Sequence, residues 1–301
     1  MNQMFKVHLA LFTVNLLFSI NYVLAKILTP EYILPFAIIV FRVWGSAILF
    51  WLLHAWTIKE KVQSKEDFLN LAYCALFGVV LNQLSFFKGL SLSSAISTSI
   101  IMTLTPILVL IISVFILGER ITLQKLFGIF LGCLGAYLLV GGGSLSLGNK
   151  TMLGDFLLLA NAFFYAIYLV IMKPLMRRYH ALTVVKWTFI FGAIGVLPFG
   201  LPEIWVLEWS RVPWYGYMIL FYIVIGVTFF AYLLSAWGLA YVNSSVVGYY
   251  IYLQPVLTSI IAIIFGREYL GWDKVIFCLM IFMGVYLVSK EKSIKIVKLA
   301  E

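Results

Sequence analysis

The chain has 301 residues, of which 63% are apolar and only 11% are charged, and its formal net charge is +9. A soluble domain carries about 25% charged residues, so this chain lacks the side chains to cover a water-facing surface. The composition excludes a soluble globular enzyme, a disordered chain and a nucleic-acid-binding domain. In a membrane protein, a surplus of Lys and Arg instead collects in the cytoplasmic loops.

Ten apolar runs follow one another along the chain, each close to the roughly 20 residues that a helix needs to cross a bilayer. The runs are continuous rather than alternating, which favours helices over the strands of a membrane barrel. They predict an all-α polytopic membrane protein whose ten transmembrane helices lie at about 7–28, 34–57, 68–90, 94–117, 123–140, 152–172, 182–200, 214–241, 242–265 and 272–289.

Lys and Arg residues are distributed unevenly between these runs. With ten crossings, fourteen of the 21 lie on the side of the N-terminus and six on the other side. This excess predicts that both termini lie in the cytoplasm, with a Lys-rich tail at the anionic inner leaflet. We expect the membrane to be a prokaryotic inner membrane. Arg42 is the charged residue that lies deepest within a run, and we expect its side chain to extend to the outer interface or to cap a helix end. Direct contact with the substrate is the alternative.

Residues with catalytic or metal-binding chemistry are scarce at membrane depth. Cys74, Cys133 and Cys278 are isolated in separate apolar runs, so they predict neither a disulfide framework nor a metal site. No acid, His–Glu set or Ser–His pair lies near the middle of a run, and no phosphate-binding Gly-rich loop is present. We therefore expect no catalytic residue, no metal and no cofactor.

An internal repeat divides the chain into two halves, 1–145 and 146–301, joined by the Gly/Ser-rich connector 141–150. A gap-free shift of 149 residues pairs Gly89 with Gly238, Pro106 with Pro255, Glu119 with Glu268, and Tyr137 with Tyr286; a weaker match at a shift of 147 pairs Lys26 with Lys173. Because each half holds five runs, an odd number, the second half must enter the membrane from the opposite side. This pattern predicts an inverted-topology repeat, which is typical of secondary transporters.

The segment TPILVLIISVFILGE at residues 105–119, together with Phe41-Arg42 and Lys26, resembles the EamA branch of the drug/metabolite transporter superfamily. The resemblance covers essentially the whole chain. It implies ten helices, a central cavity between the halves, and export of small metabolites or amino acids. The chain departs from the family pattern at Phe18-Ser19, where members often carry Trp-Gly, and at 266–268, which is one residue longer than the usual Gly-Glu.

Neutral polar and aromatic side chains occupy the predicted midplane. Large polar groups that face lipid would leave their donors unsatisfied, so we expect them to line a cavity. The predicted substrate-binding residues are Asn15, Phe18, Asn82, Gln83, Thr98, Ile101, Tyr165, Trp187, Tyr232, Tyr250 and Gln254. For Thr98, a contact between packed helices explains the pattern equally well.

Two prolines and three charged residues receive other predicted roles. Pro106 and Pro255 lie inside apolar runs, where each removes a backbone hydrogen bond; they predict kinks that serve as hinges for gating, or static bends. Arg42, Glu119 and Glu268 are predicted to be structural, and the two glutamates are expected to accept hydrogen bonds from the amides of the next helix.

Together these features predict a secondary transporter that exports or facilitates small neutral or zwitterionic metabolites, such as amino acids, by alternating access. An acid-free cavity offers little to hold a strongly charged group and no obvious proton relay, so we expect transport down the solute's own gradient. A proton-coupled antiporter is the alternative, and a channel or an intramembrane enzyme is less favoured. The expected partners are a small-molecule substrate and the lipid bilayer, without nucleic acid, for a monomer or homodimer.

Overall fold

The computed structural model describes residues 3–93, 98, 101–118, 122–139, 149–264 and 272–289, and within these residues every regular element is helical. In chain order the helices are α1 (Gln3–Leu28), α2 (Pro35–Thr57), α3 (Lys65–Leu92), α4 (Thr105–Leu117), α5 (Leu123–Leu139), α6 (Asn149–Leu175), α7 (Ala181–Trp205), α8 (Trp214–Tyr241), α9 (Ser244–Tyr249), α10 (Leu253–Ile264) and α11 (Trp272–Ser289).

Six of the described helices are long and apolar enough to cross a membrane: α1, α2, α3, α6, α7 and α8. Each of them coincides with a predicted span to within a few residues. The other four predicted spans contain shorter described helices, namely α4, α5, the pair α9 and α10, and α11. Part of the predicted span 94–117 lies outside the described residues.

Helices α3 and α8 share an unusual construction. Each begins and ends as an α-helix and contains a π-helical turn, at Leu76–Leu81 in α3 and Ile223–Phe230 in α8. The α-helical segments that follow, Asn82–Leu92 and Ala231–Tyr241, correspond residue for residue under the shift of 149. A π-helical turn changes the direction in which later side chains point and is frequent at functional sites. In both helices, the side chains directly after this turn face the middle of the bundle.

The first helix of each half packs antiparallel to the third helix of the other half, so that α1 lies along α8 and α6 lies along α3. The contacts that establish these directions are Leu11 with Gly238, Leu28 with Gly216, Leu158 with Gly89, and Tyr168 with Gly78. The pair α1 with α8 and the pair α6 with α3 therefore have the same arrangement, with each half supplying the first helix of one pair and the third helix of the other.

Two further extensive contacts join helices that the shift of 149 makes equivalent, α2 with α7 and α5 with α11. Gln124 near the start of α5 donates a hydrogen bond of 2.6 Å to Leu287 O near the end of α11. A Cβ atom at Gly284 would lie 2.6 Å from Gly128 O, so glycine permits this close approach. Because the start of one helix lies beside the end of the other, α5 and α11 run antiparallel.

A lysine from each half satisfies backbone carbonyls at the end of a neighbouring helix. Lys26 Nζ donates to Leu90 O at 2.9 Å, at the end of α3. Lys173 Nζ donates to Leu239 O and Val242 O, both at 2.5 Å, at the end of α8. The last carbonyls of a helix have no partner within it, and a cation there also interacts favourably with the helix dipole.

Glutamates satisfy the opposite helix ends. Glu203 at the end of α7 accepts hydrogen bonds from the amides of Phe36 (2.6 Å) and Ala37 (3.0 Å) in the first turn of α2. Glu60 in the loop before α3 accepts one from the amide of His180 (3.0 Å), which precedes α7. Each half thus caps a helix of the other half. Glu119 and Glu268, for which a similar role is predicted, lie outside the described residues.

The two prolines do not lie in the middle of helices. Pro106 occupies the first turn of α4, directly after a turn at residues 103–104. Pro255 occupies the first turn of α10, after a 3₁₀-helical turn at Tyr250–Tyr252. The expected kinks are instead interruptions of the helical run, because proline lacks an amide donor and fits the first turn of a helix, where no intrahelical acceptor is needed.

Candidate functional site

A cavity lies at the centre of the bundle, with about 720 Å³ of empty volume counted out to its opening. We call it the central cavity. Its walls come from both halves and consist of Leu11, Val14, Asn15, Phe18, Asn21, Tyr22, Arg42, Asn82, Gln83, Phe86, Met102, Thr105, Asn161, Tyr165, Tyr232, Ser235, Val247, Ile251 and Gln254.

Many of the predicted substrate-binding residues meet in this cavity, although they come from five helices far apart in sequence. Those that line it are Asn15, Phe18, Asn82, Gln83, Tyr165, Tyr232 and Gln254. The structure therefore brings together predicted residues of both halves around one space.

The other predicted substrate-binding residues lie elsewhere. Thr98 and Ile101 are buried outside the cavity wall. Trp187 on α7 packs against Phe68, with ring centroids 5.0 Å apart. The hydroxyl of Tyr250 lies 2.6 Å from His8 Nδ1. Val247, Ile251 and Gln254, which are spaced as on one face of a helix, line the cavity wall instead.

One wall of the cavity is a hydrogen-bonded contact between α1 and α10. Gln254 Nε2 donates to Asn15 Oδ1 at 2.9 Å, and Gln254 Oε1 accepts from the Tyr22 hydroxyl at 2.6 Å. Ser19 Oγ donates to the backbone oxygen of Gln254 at 3.3 Å. Gln254 therefore joins the second half to the first helix of the first half.

The opposite wall joins α3, α6 and α8. The side-chain amides of Asn82 and Asn161 donate to each other's backbone oxygens, at 3.2 and 2.9 Å. Gln83 Nε2 donates both to Asn82 Oδ1 and to the hydroxyl of Tyr232. Gln83 and Tyr232 are partners under the shift of 149, so equivalent positions of the two halves touch each other at the cavity.

Arg42 contradicts the expectation that its side chain extends to the outer interface. It is only 2% exposed and lines the central cavity. Its Nε donates a hydrogen bond of 2.9 Å to the hydroxyl of Thr228, and its guanidinium carbon lies 5.3 Å from the centre of the Phe87 ring. These two partners direct the cation inward. The idea that the cavity has little to hold a charged group is therefore wrong.

Two fully buried side-chain oxygens of the cavity wall have no hydrogen-bond partner within the described structure. They are Oδ1 of Asn21 and Oγ1 of Thr105, and both residues are almost fully buried. A buried polar atom without a partner costs free energy, so such atoms in a cavity wall mark places where a bound solute can be held.

Some wall residues were absent from the predicted set of binding residues although helical spacing points to them. Tyr22, Asn161 and Ser235 each lie one turn from a predicted residue on the same helix: the pairs are Tyr22 with Phe18, Asn161 with Tyr165, and Ser235 with Tyr232. Residues three or four apart share one face of a helix, so this spacing could have identified the three wall residues from the sequence.

The contact between α1 and α10 yields a testable prediction. Gln254→Leu removes the partners of Asn15 Oδ1 and the Tyr22 hydroxyl, which should cost about 1–3 kcal/mol. Tyr22→Phe removes one of the same bonds, so the double variant should lose less stability than the sum of the single losses. The measurement is the melting temperature of the purified protein in detergent.

The matched control is Tyr217→Phe, which removes an exposed hydrogen bond to Trp209 O outside the cavity and should leave the melting temperature nearly unchanged. Strictly additive losses for Gln254→Leu and Tyr22→Phe would show that the two side chains act independently.

Comparison with known proteins places the chain among transporters. A family model described as the EamA-like transporter family matches residues 5–141 and again residues 152–290. An uncharacterized transporter of Archaeoglobus fulgidus is 28% identical over 291 residues, which cover 95% of this chain and 98% of that protein. The uncharacterized transporter YyaM of Bacillus subtilis is 24% identical over 76% of each chain.

A solved structure shares the fold. A protein crystal structure superposes with a TM-score of 0.75 over 93% of this chain and 95% of its own, at 19% sequence identity. The two segments matched by the family model span nearly the whole chain and include the walls of the central cavity. The chain therefore belongs to the EamA-like transporter family of multi-pass membrane proteins.

Proposed function

We propose that this membrane protein is a secondary transporter that carries a small zwitterionic or neutral metabolite, with amino acids as the leading class, through the central cavity. The observation that carries the proposal is the cavity itself. It gathers polar and aromatic side chains from both halves inside a bundle whose outer surface is apolar. A transporter fits these features and the family better than an enzyme does.

The wall chemistry supports the proposed class of solute. Phe18, Tyr22, Phe86 and Tyr165 offer aromatic surface to an apolar body. The amide side chains of the wall, such as Asn21, offer hydrogen bonds to a polar end. A solute with one apolar and one polar part satisfies both kinds of surface.

We further propose that the halves 1–145 and 146–301 are inverted repeats of five transmembrane helices each. The antiparallel packing of α2 with α7 and of α5 with α11 supports this arrangement, because equivalent helices then run in opposite directions. The exchanged pairs α1 with α8 and α6 with α3 support it as well. Rocking of one half against the other would open the cavity alternately to each side, with export outward from a cytoplasm that holds both termini.

The interruptions at the two prolines are the proposed hinges of this motion. Pro106 and Pro255 begin helices next to wall residues, Thr105 in one half and Gln254 in the other. Hinges are commonly located at the ends of helices, where a few residues absorb the change in backbone angles.

Pro255→Ala tests the hinge. Alanine allows α9 and α10 to join into one straighter helix, which should slow solute exchange several-fold while the yield of folded protein stays close to wild type. The matched control is Pro198→Ala, because Pro198 lies inside α7, is exposed and does not line the cavity. An exchange rate equal to wild type in Pro255→Ala would reduce Pro255 to a packing residue.

The driving force follows from the charges of the cavity. None of the described acidic side chains lines it, so the described wall contains no carboxylate that could relay a proton. We propose that transport is uncoupled and runs down the gradient of the solute.

Counterflow in proteoliposomes measures both the function and the driving force. Radiolabelled amino acids, supplied one at a time to vesicles preloaded with the same unlabelled amino acid, should accumulate transiently and saturably for at least one of them. An imposed pH gradient should change the rate by less than about twofold, and protein-free vesicles are the control. An obligatory pH gradient would favour a proton-coupled antiporter instead, and flux that does not saturate would favour a channel.

A further inference from the structure

We propose that Arg42 is the anchor for a carboxylate group of the transported solute, so that this transporter selects solutes that carry a carboxylate. The inference rests on the proposed function, because it assigns the polar end of the solute to one residue of the central cavity. It adds a charge requirement that a merely polar cavity would not impose.

The first argument is the burial of an uncompensated charge. Arg42 is 2% exposed, and none of the described acidic side chains forms an ion pair with it. Two ion pairs formed between described residues, Arg178 with Asp67 and Arg211 with Glu208, involve exposed arginines. Burying a charge without a counter-ion is costly, so a cation at this depth points to a partner supplied from outside the chain.

The second argument is the way in which the side chain is held. Thr228 Oγ1 donates to Ile223 O at 2.6 Å, which leaves this oxygen free to accept the hydrogen bond from Arg42 Nε. The fork of two terminal nitrogens, with four N–H donors, then has no hydrogen-bond partner among the described residues. Phe87 stabilises the cation without neutralising it.

The third argument is geometric complementarity. The terminal nitrogens of a guanidinium donate two parallel hydrogen bonds to the two oxygens of one carboxylate, a pairing that is stronger than neutral hydrogen bonds. Arg42 is the one cation among the described wall residues, so a single negative charge is matched and a doubly charged phosphate is not. The unpaired Oδ1 of Asn21 is an acceptor in the same cavity that suits an ammonium group of an amino acid.

The position of Arg42 also suggests how a bound carboxylate is released during transport. The residue lies on α2, while its partner Thr228 lies in the π-helical turn of α8, so the anchor spans the contact between the two halves. A solute held there touches both halves at once. Movement of one half against the other would change the bond between Arg42 and Thr228 and thereby loosen the hold on the carboxylate.

The test compares four probes that share one apolar body: L-phenylalanine, 3-phenylpropionate, L-phenylalaninamide and phenethylamine. Each is measured by inhibition of L-phenylalanine counterflow and by thermal stabilisation of the purified protein. In the wild type, the two carboxylates should bind about 10- to 100-fold more tightly than the amide and the amine, as expected for loss of a charge-assisted hydrogen-bonded pair.

Variants assign this preference to Arg42. Arg42→Gln should weaken binding of both carboxylates by the same factor and leave the amide unchanged, and Arg42→Lys should fall between, since lysine keeps the charge but loses the fork. Thr228→Val keeps the charge of Arg42 but removes the hydrogen bond that orients its side chain, so binding of both carboxylates should weaken several-fold. This variant replaces Arg42→Gln as the test if Arg42→Gln does not fold. The matched control is Arg178→Gln, an arginine at the exposed end of the bundle, which should leave the preference intact.

Two results would overturn the inference: one contradicts the role of Arg42 alone, and the other also contradicts the proposed class of solute. If the wild type exchanges the amide as well as the acid, or if Arg42→Gln and Thr228→Val both keep the full preference for carboxylates, the anchor is wrong and the transporter stands. If none of the four probes binds or exchanges, the proposed class of amino acid solutes is wrong, and the anchor with it.

Discussion

The absence of hydrogen-bonding solvent in the membrane core determines much of this structure. In that environment every backbone and side-chain polar group must find a partner inside the protein. The chain meets this requirement at helix ends by Lys26, Lys173 and Glu203, which bond the free carbonyls and amides of neighbouring helices. At depth it meets the requirement by turning its remaining polar side chains towards one another, as Gln254 and Asn15 do. The central cavity is the space where these polar groups gather and where some of them stay without a partner in the protein.

The arrangement of the two halves explains why the cavity lies at their boundary. Each half contributes a long helix with a π-helical turn, and these turns direct Gln83 and Tyr232 towards each other. The first helix of each half packs on the third helix of the other, so neither half encloses the cavity alone. In the proposed mechanism, a solute that binds there contacts both halves, and its binding energy is coupled to their relative movement.

The sequence predicted the class of fold, the positions of the six long helices and much of the cavity wall, because apolar length and helical spacing are local properties. Gln83 and Gln254 were found in this way. Tyr250 was misplaced because it lies at the edge of the same helical stripe, where its hydroxyl pairs with His8, 242 residues away in the sequence. Arg42 was misplaced for a similar reason: its direction depends on Thr228, 186 residues away, and on the ring of Phe87. A contact between distant parts of the chain cannot be read from local pattern.

The central claim is that two halves inserted in opposite directions enclose one cavity, and the sidedness of α5 and α11 tests it most directly. Leu123 and Trp272 are equivalent under the shift of 149, begin these two helices and are more than four-fifths exposed, at 86% and 85%. In a background with Cys74, Cys133 and Cys278 replaced by Ala, Leu123→Cys and Trp272→Cys would be treated with a membrane-impermeant thiol reagent in intact cells. The cysteine at 272 should react in intact cells, and the cysteine at 123 only after permeabilisation. Reaction of both cysteines from the same side would contradict the inverted arrangement.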